Sequence, residues 1–88
     1  MNRIPLARGR IAYSIAGRDE GRRFIVIDEL DADYVLIADG ELHKVDRPKK
    51  KKRKHLRAMQ ESIECIPGRE LTDQLIKRAL VPTPEKEG

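Results

Sequence analysis

Hydrophobic positions from residue 9 to residue 45 form short runs separated by turn-forming residues. In Arg10–Ile15 every second residue is a larger apolar one, a period of two that predicts a strand with one face turned inward. Arg23–Ile27 and Tyr34–Ala38 are almost continuously apolar and rich in β-branched residues, which is typical of strands covered on both faces. The first of these two runs is expected to end at about Asp28. Short strands at this spacing predict a small antiparallel sheet or barrel.

The connections between these strands are polar. Ala16–Gly21 places glycines on both sides of three charged residues, which predicts a surface loop where the chain reverses. The acidic cluster Glu29–Asp33 predicts a second exposed loop. The chain is therefore expected to run back and forth between well-separated turns.

The pair Asp39-Gly40 favours a two-residue hairpin, because both central positions of a type I′ turn require positive φ. A returning fourth strand is then predicted over Glu41–Val45, with its inward-facing positions at Leu42 and Val45. Pro48 marks the end of that strand, because it lacks the N–H group that a strand ladder uses.

The segment after Pro48 opens with six consecutive basic residues, 49–54. Like charges repel one another, so this run favours an extended, solvated form unless an anionic partner neutralises it. Lys54–Leu56 is compatible with a short closing strand. In residues 57–68 the apolar Met59, Ile63 and Ile66 are spaced by four and three positions, which is compatible with a helix.

The last element predicted is a helix over residues 72–80. Thr72 is a plausible N-cap with Asp73 in the first turn, and Leu71 can pack on Ile76 as a hydrophobic staple. The apolar stripe of this helix comprises Leu75, Ile76, Ala79 and Leu80. Pro82 ends the helix, and a short polar tail follows.

Composition limits the chain to one small domain. Leu, Ile, Val and Phe together occupy 22 of 88 positions, enough for a small core. The net charge of +4 is unevenly distributed, since residues 47–57 hold eight Lys or Arg and no acid, whereas residues 24–46 carry −6. The basic character of the protein is therefore local.

Several functional classes are excluded or disfavoured. A single cysteine, Cys65, excludes an internal disulfide and a Cys-based zinc site, and indicates a reducing cytosol. No apolar run is long enough to span a membrane, and early arginines interrupt any signal-peptide core. An organelle transit peptide is disfavoured because Pro5 and Gly9 would break its helix.

Catalytic and metal-binding motifs are absent from the sequence. Gly17 and Gly21 lack the Gly-Lys-Ser/Thr continuation of a P-loop. His43 and His55 have no further ligand at metal-binding spacing, and Cys65 beside apolar residues favours packing over catalysis. The acidic run at residues 28–33 lacks the glycine and terminal Glu of a calcium loop. We expect no enzyme activity, no metal and no cofactor.

The basic run 47–57 points to a nucleic acid. Eight positive charges in eleven residues can displace counterions from a phosphate backbone. A second basic set lies on or beside the first loop, and guanidinium groups suit phosphate; it comprises Arg3, Arg8, Arg10, Arg18, Arg22 and Arg23. Lipid docking is disfavoured, because it would also need an acyl chain or an amphipathic apolar face and the sequence provides neither. Because aromatic residues are few, we expect the protein to recognise the backbone and shape of structured RNA and not to stack bases on aromatic rings.

The residues of the first strand, loop and second strand also carry a family resemblance. Gly9–Ile27 resembles a KOW motif, in which these elements begin a small SH3-like barrel. The continuation through Ala38–Gly40 and Val45–Leu56 is similar to bacterial KOW-domain RNA-binding proteins related to eukaryotic and archaeal large-subunit ribosomal proteins. The resemblance covers about Arg8–Leu56. It implies a barrel that binds ribosomal RNA through loops and basic extensions without catalysis, with Gly21 as the signature glycine.

Together these observations predict a mainly β chain, a small SH3-like barrel (KOW domain) with a C-terminal α-helix. The barrel is expected over residues 1–56 with the basic segment 47–57, followed by an extension over 57–81 and a flexible tail over 82–88. The predicted RNA-binding residues are Arg10, Gly17, Arg18, Gly21, Arg22, Arg23, Arg47, Lys49, Lys50, Lys51, Lys52, Arg53, Lys54 and His55.

The predicted function is non-catalytic binding of structured RNA, most simply ribosomal RNA, by a cytoplasmic ribosomal or ribosome-associated protein that is monomeric off the ribosome. No membrane or small-molecule partner is expected. The alternative is a protein-interaction module, or a transcription or translation adaptor, in which an acidic edge binds a basic partner and the lysine run is only a solvated segment. That edge comprises residues 28–33, Asp39 and Glu41.

Overall fold

Five strands and one helix make up the described part of the chain. The computed structural model describes residues 4–63 and 71–80. In chain order the elements are β1 (Arg10–Ser14), β2 (Arg23–Glu29), β3 (Tyr34–Ala38), β4 (Lys49–Lys52), a 3₁₀ helix (Arg53–His55), β5 (Leu56–Ser62) and α1 (Asp73–Leu80).

The strands form one antiparallel sheet in the order β4-β3-β2-β1-β5. The first four strands follow one another as a meander, and β5 returns to pair with β1, with Ser14 opposite Leu56. This arrangement and the C-terminal helix confirm the predicted fold class, a small, mainly β, SH3-like domain.

Both faces of the sheet are covered, as the apolar runs in β2 and β3 predict. On one face, a first cluster of buried side chains contains Phe24 and Val26 of β2 together with Val35 and Ile37 of β3. Ile25, between them, lies in a second cluster on the opposite face. Alternate side chains of β2 therefore enter two separate cores, and Phe24, Ile25 and Val26 are all fully buried.

The helix α1 closes the second cluster. Leu71 and Ile76 are both buried there, as the staple predicts, with Ala79 and Leu80 packed at its margin. The Thr72 hydroxyl accepts a hydrogen bond from the Leu75 N–H at 3.2 Å, which confirms the predicted cap. Leu75 itself is 39% exposed, so its assignment to the apolar stripe is wrong.

The predicted Asp39-Gly40 hairpin and its fourth strand are also wrong. Gly40 has φ +81°, but among the described residues only glycines have positive φ, so Asp39 cannot form a type I′ turn. The Asp39 carboxylate instead accepts hydrogen bonds from the N–H groups of Glu41 and His43, both at 2.9 Å, and holds an irregular loop. Leu42 is 64% exposed, whereas Val45 does pack against the second cluster.

The lysine run is not a solvated segment: residues 49–52 form the strand β4, which pairs with β3. After the 3₁₀ helix, β5 starts at Leu56 and continues to Ser62, so the predicted helix is wrong over this part. The predictions at Arg3, Cys65, Ile66 and the tail after residue 80 lie outside the described residues. Within the described ranges, no helix is long and apolar enough to cross a membrane, and no acid, His or Cys cluster is suited to a metal.

Candidate nucleic-acid interface

The loop between β1 and β2 is tightly organised by its own backbone. The Gly21 N–H donates to the Ser14 C=O at 2.8 Å, and the Ser14 N–H donates to the Arg22 C=O at 2.9 Å. Gly17 and Gly21 both have positive φ, +84° and +89°, conformations that other residues rarely adopt. The two predicted loop glycines are therefore needed for the turn itself, and the loop holds Arg18 at an exposed position.

Asp19 connects this loop to β4. Its side chain is 10% exposed, and its Oδ2 lies 2.5 Å from the Lys49 Nζ and 3.7 Å from the Lys51 Nζ. The hydrogen bond from Lys49, together with the charges of both lysines, holds the pKa of Asp19 below its ordinary value of 3.8. The Lys51 ammonium also donates to the Ala16 C=O at 3.2 Å.

Gly17 lies next to the same contact. A Cβ at this position would lie 3.4 Å from the Lys51 Nζ, an ordinary contact distance, so the loop backbone passes close to the ammonium group. Lys51 is buried and Lys49 half-buried, which is unusual for lysine and requires a counterion. We name Asp19, Lys49 and Lys51 the loop–strand ion cluster. Two of the predicted phosphate-binding lysines are thus already engaged within the protein.

The other lysines of β4 point to the opposite face, because side chains alternate along a strand. Lys50 and Lys52 are exposed. Lys52 is paired across the sheet with Tyr34, and the Lys50 Nζ lies 4.5 Å from the centre of the Tyr34 ring. This outer face of β3 and β4 therefore combines an aromatic ring with two ammonium groups, a cation–π arrangement.

Three of the predicted arginines are held by internal contacts. The Arg10 guanidinium donates to the C=O groups of Gln60 at 3.0 Å and Pro5 at 3.2 Å, and so ties the N-terminal segment to β5. Arg22 lies 3.5 Å from the Asp39 carboxylate. Arg53 pairs with Glu29 at 3.0 Å and donates to the Asp31 C=O at 2.9 Å.

Asp31 organises the loop that receives Arg53. Its Oδ1 accepts hydrogen bonds from the N–H groups of Asp33 and Tyr34, both at 2.8 Å. These bonds hold the pKa of the Asp31 carboxyl below its ordinary value. The acidic run predicted as an exposed loop is therefore exposed but internally bonded.

The remaining predicted cations are exposed, and their side chains form no hydrogen bond or ion pair among the described residues. They are Arg18, Arg23, Arg47, Lys52 and Lys54. His55 differs, because it is half-buried and its C=O accepts the Ile15 N–H at 2.9 Å. The sequence-predicted basic set is thus divided into side chains with internal partners and side chains available to an external anion.

Arg57, an exposed cation of the basic run 47–57, is not among the predicted RNA-binding residues. Tyr13 of β1 is paired with Arg23 of β2 on one side and with Arg57 of β5 on the other. Side chains directly opposite in neighbouring strands share a face, so the two guanidinium groups flank a half-buried tyrosine. Arg57 was missed because the pattern after Leu56 was assigned to a helix; the alternation of Leu56, Arg57 and Ala58 was the signal for a strand.

Comparison with known proteins finds a similarity to a ribosomal protein. The large ribosomal subunit protein eL14 of Staphylothermus marinus is 28% identical over 72 residues, which cover 82% of this chain and 73% of the relative. No family model matches the chain. The relative is a large-subunit ribosomal protein, so the predicted resemblance to proteins of that kind is supported as a distant relationship.

Proposed function

We propose that this chain is a non-catalytic RNA-binding protein that contacts ribosomal RNA through the exposed cations around its first loop and its 3₁₀ helix. The observation that carries the proposal is the presence of several positive side chains with no counterion among the described residues, on a sheet in which Lys49 and Lys51 are paired with Asp19. The distant similarity to a ribosomal protein supports RNA as the anion.

The contacts proposed for phosphate come from two regions. Arg18 belongs to the β1–β2 loop, while Lys52 and Lys54 lie on either side of Arg53 at the end of β4. Arg23 and Arg57 add two guanidinium groups on the outer face of the sheet. In this proposal Lys49, Lys51 and Arg53 shape the surface, and Gly17 and Gly21 shape the loop.

The acidic edge required by the adaptor alternative is largely engaged in internal contacts. Glu29 pairs with Arg53, Asp39 pairs with Arg22, and the Asp31 carboxylate accepts two backbone N–H groups. Few carboxylates of that edge are left for a basic partner protein, so RNA binding is the function we favour.

The test compares two variants with the same net charge. Arg18→Gln/Lys52→Gln/Lys54→Gln removes three exposed cations of the proposed interface, and Lys44→Gln/Lys77→Gln/Arg78→Gln removes three exposed cations elsewhere. Binding to ribosomal RNA fragments is measured at several salt concentrations. If four to six phosphates are neutralised, log affinity of the wild type falls with log salt at a slope of roughly −3 to −5.

The first variant should reduce the magnitude of that slope by roughly 2 to 3, and the control by less than about 1. Equal effects of the two variants, or an affinity of the wild type that does not depend on salt, would refute the proposed interface. Sedimentation with ribosomal particles, with and without ribonuclease, separates the adaptor alternative, because an adaptor would remain bound after the RNA is digested.

A further inference from the structure

A groove of about 740 Å³ lies beside the start of β3, between the N-terminal segment and the turn after β4. The residues that line it include the apolar Ile4, Pro5 and Leu6, the aromatic Tyr34 and, at the rim, the basic Lys52 and Lys54. A groove of this volume is large enough for a small organic group. It therefore offers both apolar contact and positive charge to a ligand.

The cations at the rim differ in their availability. Arg53 also lines the groove, but its guanidinium is bonded to Glu29 and to the Asp31 C=O. Lys52 and Lys54 are exposed and have no partner among the described residues. The two lysines can therefore bind an anion at the rim without breaking an internal contact.

Tyr34 is the aromatic residue among those that line the groove. The ring is half-buried, and its residue is paired across the sheet with Lys52. The Lys50 ammonium 4.5 Å from the ring centre adds a further positive charge close to the same ring. A flat ring beside several cations suits a ligand that carries a flat ring and an anion together.

We propose that this groove holds one unpaired nucleotide of the bound RNA, with the base against Tyr34 and the apolar wall and the phosphate beside Lys52 and Lys54. A nucleotide combines a flat, weakly polar base with a negative charge at a short distance, whereas a paired stem presents only its backbone. The scarcity of aromatic residues disfavours a platform for several bases, but one unpaired base needs only one ring. The inference rests on the proposed RNA-binding function and adds a subsite to it.

The test uses two RNA hairpins with the same paired stem and loop, of which one is fully paired and the other carries one additional, bulged 2-aminopurine. We expect the bulged hairpin to bind roughly 5- to 150-fold more tightly, the range corresponding to stacking of one base on an aromatic ring. The fluorescence of the 2-aminopurine should change on binding. Tyr34→Leu should abolish both effects while leaving the affinity for the paired hairpin, and Tyr34→Phe, which keeps the ring, should preserve them.

Equal affinity of the wild-type protein for the two hairpins would overturn the subsite and leave the proposed function standing. Failure to bind either hairpin at low salt would overturn both. Adenosine monophosphate provides a further arm: if it binds alone as tightly as the bulged hairpin, the groove is a mononucleotide site and the RNA subsite is wrong. Because the hairpin comparison uses the unaltered protein, it decides the question even if Tyr34→Leu fails to fold.

Discussion

Replacement of Asp19 by Asn tests whether the loop–strand ion cluster stabilises the domain. The amide keeps the shape of the side chain but removes its charge. Lys51, whose side chain is 9% exposed, would then keep its hydrogen bond to the Ala16 C=O but lose the negative charge that faces it. Lys49 would lose its hydrogen bond to the carboxylate. The variant should therefore be destabilised.

The size of the effect follows from these contacts. At an effective dielectric constant of about 20, opposite charges about 4 Å apart attract by about 4 kcal/mol, and desolvation offsets much of that gain. Loss of a hydrogen bond to a charged group costs roughly 1.5–3 kcal/mol, and an unpaired buried cation adds to this cost. Because the Lys49 side chain is 35% exposed, solvent weakens its share. We expect Asp19→Asn to lower the free energy of unfolding by about 2–4 kcal/mol.

The measurement is urea unfolding of the wild type, Asp19→Asn and Glu20→Gln at neutral pH. Glu20 is the matched control, because it is the next residue, is exposed and has no described side-chain partner. Its substitution makes the same change in charge and should alter stability by less than about 0.5 kcal/mol. If the two variants unfold at the same urea concentration, the ion cluster contributes nothing and the reasoning is wrong.

The same comparison has a predicted pH dependence. The pKa of Asp19 is lower in the folded protein than its ordinary value of 3.8, so ionisation of this carboxyl stabilises the fold above that value. This stabilisation is lost as the pH falls through the folded-state pKa. The difference in stability between wild type and Asp19→Asn should thus be constant from roughly pH 5 to 7 and shrink below roughly pH 4. Asp31 also has a lowered pKa but is present in both chains, so its contribution cancels.

The remaining predictions concern two glycines and a helix cap. A Cβ at Gly40 would lie 2.6 Å from the Asp73 C=O oxygen at φ +81°, so Gly40→Ala should cost about 2–4 kcal/mol. Gly21 has φ +89° but open space around it, so Gly21→Ala should lower the free energy of unfolding by only about 1–2 kcal/mol. If the two alanine variants lose the same stability in thermal unfolding, the packing argument for Gly40 is wrong. Thr72→Ala should lower the free energy of unfolding by about 1 kcal/mol, because the hydrogen bond from the Leu75 N–H to the Thr72 hydroxyl is lost. An unchanged melting temperature would contradict this prediction.

The elements that could be predicted from the sequence are those whose signal is local. The run Arg23–Ile27 identifies a strand covered on both faces, and the structure places its alternate side chains in two clusters. Thr72, with the pair Leu71 and Ile76, fixes the start of the helix. In both cases the residues on which the prediction rests are neighbours in the chain, so the pattern that predicts the element is visible within a few positions.

The lysine run could not be predicted correctly, because its structure depends on a residue thirty positions away. Taken alone, residues 49–52 repel one another, and the buried Asp19 offsets this repulsion by pairing with Lys49 and Lys51. The hairpin prediction failed for a similar reason. Gly40 is required by its contact with the helix residues Asp73 and Lys77, and the sequence offers no local sign of that contact. For the candidate site, the basic residues were identified, but their division into internally paired and exposed side chains needed the folded structure.

The position of β4 at the edge of the described sheet has a consequence for self-association. An edge strand presents unpaired N–H and C=O groups to which a strand of another molecule can add. Of the four lysines in this strand, Lys50 and Lys52 are exposed, so a second copy that added to β4 would bring two free ammonium groups against two others. The lysines, although poor β formers, thereby disfavour the addition of a second copy at this edge.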